Sequence, residues 1–168
     1  MLNGKHTVEI EINNFGTIRA QLDADAAPIT VAIFLRLAKN GFYNGLTFHR
    51  IISGFMIQGG DPLGNGMGGS DENIKGEFAA NGVNNPLKHT RGALSMARSQ
   101  FYDSASSQFF IVHEDSLFLD GQYAVFGYVT DGIEVVDAVC AATPVLDNNG
   151  TVPKASQPVI NAVRVVEA

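Results

Sequence analysis

The run FHRIISGFMIQGGD at 48–61 sets one arginine, Arg50, and one glutamine, Gln58, among Phe48, Ile51, Ile52, Phe55, Met56 and Ile57. Nothing inside the run serves as nucleophile, paired carboxylate or cofactor clamp. A fixed cation beside an apolar wall therefore raises the question of a reaction that stabilises charge without covalent chemistry. Taken alone, Arg50 reads equally as a structural ion pair with Asp61 or another acid. Phe55 and Met56 are open to an ordinary core reading, and Gln58 to that of a hydrogen-bonded strand residue.

Other constellations are weaker. Gly64-Asn65-Gly66-Met67-Gly68-Gly69 fits G-x-G-x-x-G, but no amphipathic helix follows and no acidic residue stands near the ribose-binding offset. These glycines read instead as a loop that turns and brings its backbone close to a ligand. His113-Glu114 begins an H-E-x-x-H match that Leu117 ends, and His6, His49, His89 and His113 show no zinc spacing, so no metal is expected. There is no G-x-S-x-G elbow. A serine hydrolase would depend on geometry alone bringing a Ser, a His and an Asp together.

The elements that must position these residues follow from periodicity. Thr7 to Ile12 alternates in the period of a half-buried strand, and a second strand is expected at 17–22 after the turn Asn13-Asn14-Phe15-Gly16. Pro28 suits the first turn of a helix whose apolar face is Val31, Phe34, Leu35 and Ala38, with Gly41 as its stop. The opening run reads as a hairpin turning at Ile52-Ser53-Gly54-Phe55, with Gly54 where a type II turn needs positive φ. From Gly60 to Gly92 the chain is Gly- and Asn-rich without clear period, as functional loops are. Strands are expected at Ala93–Met96, Phe109–Val112, Tyr123–Thr130 and Val159–Val166, a second helix over 133–141, and a proline-containing loop over 143–158. About eight strands, neighbouring in sequence, and two helices favour a closed antiparallel barrel capped by helices over a βαβ sheet. Its interior would be filled by side chains, leaving the outer wall for a ligand.

Composition narrows the class. A chain of 168 residues, 45% hydrophobic and 17% charged, suits one domain with one core. A net charge of −6 argues against nucleic acid, whose phosphates need clustered Lys and Arg. Cys140 is the single cysteine, so no internal disulfide ties the fold to an oxidising compartment. Neither a signal-peptide core nor a membrane-length apolar run is present, and a cytoplasmic location is expected.

FHRIISGFMIQGGD, followed by LSM at 94–96, SQFFI at 107–111 and LDGQYAVFG at 119–127, resembles the cyclophilin-type peptidyl-prolyl cis-trans isomerases, in particular their short bacterial members. The resemblance runs from about residue 7 to 166. It implies an eight-stranded antiparallel barrel with two capping helices and an isomerase of X-Pro bonds that needs no cofactor. It also implies roles: Arg50 as catalytic arginine with Gln58 beside it, and Phe55, Met56, Phe110 and Leu119 as the proline pocket. Gln108, Gly66 and the Ala97–Arg98 backbone would hold the peptide. Phe118 stands where animal members often carry tryptophan, Tyr123 where they often carry histidine, and Ser53 where a proline is common. Weak cyclosporin binding is expected on that account. The expected partners are proline-containing peptides and unfolded protein segments, met by a monomer. A module that holds such peptides without turning them over is the alternative. Strict alternation would put Phe55 on the face opposite Met56 and Gln58, so Phe55 must belong to the turn or the strand must be irregular.

Overall fold

The computed structural model describes residues 1–166. Eight strands, β1 (Lys5–Ile12), β2 (Gly16–Asp23), β3 (Phe48–Ile52), β4 (Met56–Gly59), β5 (Ala93–Met96), β6 (Phe109–Val112), β7 (Val125–Asp131) and β8 (Ile160–Val166), form one antiparallel sheet. Its order is β3-β4-β6-β5-β7-β2-β1-β8. Two helices, α1 (Pro28–Lys39) and α2 (Ile133–Ala142), pack on it. The expected strands and helices are all present, with ends shifted by at most two residues, as where β7 begins at Val125 rather than Tyr123. The sheet curls until its end strands approach. At that seam a single isolated bridge, Thr47 to Val159, replaces a ladder, flanked by Phe48 N–H to Pro158 O at 3.0 Å and Ile160 N–H to Leu46 O at 2.7 Å.

Alternation decides which side chains fill the interior. On β1 and β2 the paired residues Val8 and Ala20, and Ile10 and Ile18, are buried together, while Glu9 and Arg19 pair on the other face. Phe34 of α1 closes this interior, its ring 5.2 Å from Phe126, 5.4 Å from Phe109 and 5.1 Å from Tyr43. Burying an aromatic ring of this kind contributes about 1.5–3 kcal/mol, so the cluster anchors α1 to the sheet. The N-terminus of α1 has no side-chain cap of its own. Glu77, buried in the 60–92 loop, accepts instead from Ile29 N–H at 3.1 Å and Thr30 N–H at 2.7 Å, a carboxylate placed where the helix dipole favours it.

Strands β4, β5 and β6 differ from β1 and β2 because both of their faces are covered. Ile57, Leu94, Met96, Phe109 and Ile111 point into the main core. Met56, Ala93, Phe110 and Val112 point outward into a second cluster with Phe55, Ala97, Leu119 and Tyr123. This explains why FMIQ, ALSM and FFIV read as nearly continuous apolar runs. The outer cluster is the floor of the candidate site.

Candidate active site

The hairpin of β3 and β4 sets the polar edge. Its register pairs Arg50 with Gln58, and Arg50 Nη1 donates to Gln58 Oε1 at 3.2 Å. Gln58 Nε2 donates to Gln108 Oε1 at 3.0 Å, and Gln108 Nε2 donates to the carbonyls of Gly66 at 3.1 Å and Gly68 at 2.7 Å. On its other side Arg50 gives Nε–H to Asn149 O at 2.8 Å and Nη2–H to Asn149 Oδ1 at 3.2 Å. A line of donors and acceptors thus runs from Asn149 through Arg50, Gln58 and Gln108 to the glycine loop. Three of the five guanidinium N–H groups are used in holding Arg50. One on each terminal nitrogen has no partner among the described residues.

The ion-pair reading of Arg50 gives way here. Among the described residues Arg50 pairs with no carboxylate, and Asp61 is buried among backbone donors, accepting from Leu63 at 2.8 Å, Asn65 at 3.1 Å and Gly66 at 2.6 Å. Burial works to raise the Asp61 carboxyl, but those N–H groups outweigh it and hold its pKa below the usual value. Asp61 is the knot of the glycine loop. The dinucleotide-like glycines serve that knot and the Gln108 bonds.

A pocket of about 140 Å³ is lined by Arg50, Phe55, Met56, Gln58, Ala97, Arg98, Phe110, Leu119 and Tyr123. It has room for one side chain, well below the size of a cofactor cleft. Phe55 reaches it from the turn: β4 begins at Met56, Phe55 N–H donates to Ile52 O at 2.9 Å, and Gly54 has φ of 86°. His113 braces that turn, its Nδ1 accepting from Gly54 N–H at 2.8 Å while Nε2 lies 3.0 Å from Asp137 of α2. Gln108 and Gly66 line an adjoining cavity of about 220 Å³ that shares Gln58, Ala97 and Arg98 with the first. Phe118 lines neither. It is 74% exposed on the rim, its ring 5.6 Å from Phe55.

The Arg98 side chain is pinned in place. Its guanidinium lies 4.9, 5.2 and 4.6 Å from the ring centres of Phe78, Tyr102 and Tyr123 and donates to the Gln122 and Ser99 carbonyls. Behind the pocket, the structure does unite a Ser, a His and an Asp. His89 Nδ1 is 2.8 Å from Asp120 Oδ1 and Nε2 is 2.9 Å from Ser95 Oγ. Ser95 is 0% exposed and the His89 ring lies parallel to Phe110 at 5.9 Å, so the serine sits under the pocket floor. Burial lowers the His89 pKa against the opposing pull of Asp120. The neutral ring supports Phe110.

Asn149 is the neighbour of Arg50 that local pattern did not reveal. Asp147-Asn148-Asn149-Gly150 carries the composition of a turn, and Asp147 Oδ1 accepts from Asn149 and Thr151 N–H. Nothing in that composition says the turn docks on β3. It does so through Ile51 N–H to Gly150 O at 2.8 Å and Val152 N–H to His49 O at 3.1 Å. Among the described residues no three His, Cys, Asp or Glu side chains gather to hold a metal, and no helix is long and apolar enough to cross a membrane.

Comparisons with known proteins bear on the family and the fold. Residues 7–166 match the family model described as cyclophilin type peptidyl-prolyl cis-trans isomerase/CLD. The peptidyl-prolyl cis-trans isomerase B of Bacillus subtilis is 52% identical over 117 residues, 70% of this chain and 78% of that protein. A peptidyl-prolyl cis-trans isomerase of Helicobacter pylori is 47% identical over 128 residues, 75% of this chain and 76% of that protein. The crystal structure of a Cryptosporidium parvum cyclophilin type peptidyl-prolyl cis-trans isomerase superposes with a TM-score of 0.86 at 30% identity, covering 98% of this chain and 99% of the other. A second crystal structure of that protein, in the presence of the dipeptide Ala-Pro, gives 0.84 at 31% identity over 96% and 99%.

Proposed function

The chain belongs to the cyclophilin-type peptidyl-prolyl cis-trans isomerases, and from that premise we propose that Arg50 is the group with which it catalyses rotation about X-Pro bonds. Resonance gives this rotation a barrier of roughly 18–20 kcal/mol although trans is preferred by only about 0.5–1 kcal/mol. An enzyme must therefore favour the twisted amide, whose nitrogen lone pair has left conjugation and become a hydrogen-bond acceptor. No bond breaks. The observation that carries the proposal is the pair of unspent Arg50 N–H groups beside a pocket sized for one side chain. They donate toward the prolyl nitrogen or the adjacent carbonyl oxygen as the amide twists, and the guanidinium's rigidity keeps them aimed.

Phe55, Met56, Phe110 and Leu119 grip the pyrrolidine ring while the carbonyl side turns. Gln58 orients Arg50, and Gln108, Gly66 and the Ala97–Arg98 backbone receive the peptide on the proline's flank. Tyr123 closes the pocket edge, fixed by its contact with Arg98. Phe118 offers a rim surface without a hydrogen-bond donor, which supports weak cyclosporin binding. The pairing of β1 with β8 supports treating the chain as one domain, and the bonds at the seam support reading the barrel as closed. A monomer in the cytoplasm, acting on unfolded or flexible segments, completes the reading.

Exchange spectroscopy on an Ala-Pro peptide tests it: catalytic amounts of protein should accelerate cis/trans exchange far above the spontaneous rate of once per tens to hundreds of seconds. An unchanged rate with measurable peptide binding would leave the non-catalytic binding module instead. The hydrolase alternative predicts serine labelling by fluorophosphonates. With Ser95 under the pocket floor, none is expected, and labelling at Ser95 would contradict the placement.

A further inference from the structure

Arg50 is a partition with a second side. Opposite the proline pocket lies a cavity of about 640 Å³ between the glycine loop and the 146–157 segment. Every titratable side chain that lines it is basic, namely Arg50, His49 and Lys154, in a chain whose net charge is −6. The nearest acids are spent elsewhere: Asp61 on the loop amides, and Asp147 on the amides of its own turn. Lys154 Nζ gives one of its three donors to Leu63 O at 3.1 Å and makes no ion pair among the described residues.

His49 adds a second, independent sign. The ring is 6% exposed and makes no hydrogen bond among the described residues. Nδ1 is the one buried side-chain atom without a partner among the described residues, while Nε2 is the nitrogen on the Gly66 side, 3.5 Å from where a Cβ on that residue would stand. Burial lowers the His49 pKa, so the ring is neutral, and in the tautomer that carries its proton on Nε2 it has one N–H to give on the Gly66 side of the cavity. Gln157 bridges the walls, donating to Gly64 O at 3.0 Å and Val152 O at 3.2 Å. The cavity is thus braced, basic and supplied with unpaired donors.

We propose that this cavity is a subsite for an acidic side chain of the substrate, an Asp or Glu close to the isomerised proline, paired with Lys154 and hydrogen-bonded by His49. The proposal rests on the isomerase reading, because Arg50 and Gln58 line both pockets and a peptide seated in one passes the mouth of the other. Neighbouring residues of an extended peptide are about 3.3 Å apart along the chain, so a side chain one or two residues from the proline spans the partition.

The test measures kcat/KM by exchange spectroscopy on X-Pro peptides carrying Glu or Gln one or two residues before or after the proline. At one of these positions Glu should be favoured roughly two- to five-fold at low salt, the range of an exposed ion pair. The preference should shrink toward unity at 1 M salt, where the screening length is about 3 Å. Lys154→Gln should abolish it while leaving the Gln peptides unchanged, and Lys154→Glu should transfer it to Lys peptides. Equal rates for Glu and Gln at every position overturn the subsite, as does a preference that survives Lys154→Gln. Failure of the isomerase reading would look different, with no peptide accelerated at all, and it would remove this proposal too.

Discussion

Replacing Arg50 separates the catalytic contribution proposed for it from its structural one. Arg50→Ala deletes three hydrogen bonds, two to Asn149 at the exposed end and one to Gln58. Net values of about 0.5–1.5 kcal/mol per bond, taken near the lower end for the solvent-facing pair, give a destabilisation of roughly 1.5–2.5 kcal/mol. In a chain of this size that is a fall in Tm of about 3–10 °C. Catalysis should fall much further. Removing one preorganised donor to a transition state costs about 2.7–4 kcal/mol, so kcat/KM should drop about 10²–10³. Arg50→Lys restores the charge but not the fork. An ammonium that reaches Asn149 O cannot also hold Gln58 and point at the amide, so Lys should recover less than tenfold of the loss. Exchange rates and melting curves on the same preparations decide between the roles. Near-native turnover in Arg50→Ala would refute the reasoning, and so would a loss of activity no greater than the fraction unfolded.

Three further outcomes follow from named contacts. Gly150→Ala sets a Cβ 2.5 Å from Ile51 O at a residue with φ of 81°, so the turn must lift off β3; kcat/KM should fall with Tm, unlike a surface Gly→Ala elsewhere. Phe118→Trp supplies an N–H at the rim, and its bond alone should tighten cyclosporin inhibition roughly 2- to 13-fold with small-peptide turnover little changed; equal inhibition constants would show that Phe118 does not contact the ligand. Because the Asp61 pKa is lowered on folding, its stabilisation is complete above the unfolded value near ~3.9 and is lost as pH falls through the folded value. The Gly66 amide resonance should therefore titrate with a midpoint below ~3.9, and a midpoint above it would contradict the loop geometry.

The fold was legible where one face of an element repeats. Val8, Ile10 and Ile12, or Val31, Phe34 and Leu35, report their period because one side meets the core and the other meets water. Gly54 was legible because its positive φ is a local demand that few residues meet. The capping of α1 was not. Ala27 and Pro28 give no sign of a carboxylate partner, since Glu77 arrives from a loop 47 residues beyond Thr30. The curled sheet was countable, but its seam was not, because the bonds there fall outside the regular strands and carry no period.

The site divides along the same line. Its apolar wall shows in the sequence as an excess: FMIQ and FFIV are too apolar for strands with one wet face, and the surplus residues Met56, Phe110 and Val112 are the outer cluster. Its polar edge shows only in part. Arg50 and Gln58 stand out because they interrupt that apolar run, and their register follows from the hairpin. What aims Arg50, however, is a backbone carbonyl and an amide oxygen of Asn149, 99 positions away. Every residue has a carbonyl, so its use as an anchor leaves no mark in composition. The proposed catalytic group is visible because its side chain is rare in that setting, and its positioning is hidden because the anchoring atom is common to all residues. The same asymmetry governs the opposite side of Arg50, where Lys154 looks like an ordinary loop lysine until the 146–157 segment docks beside β3.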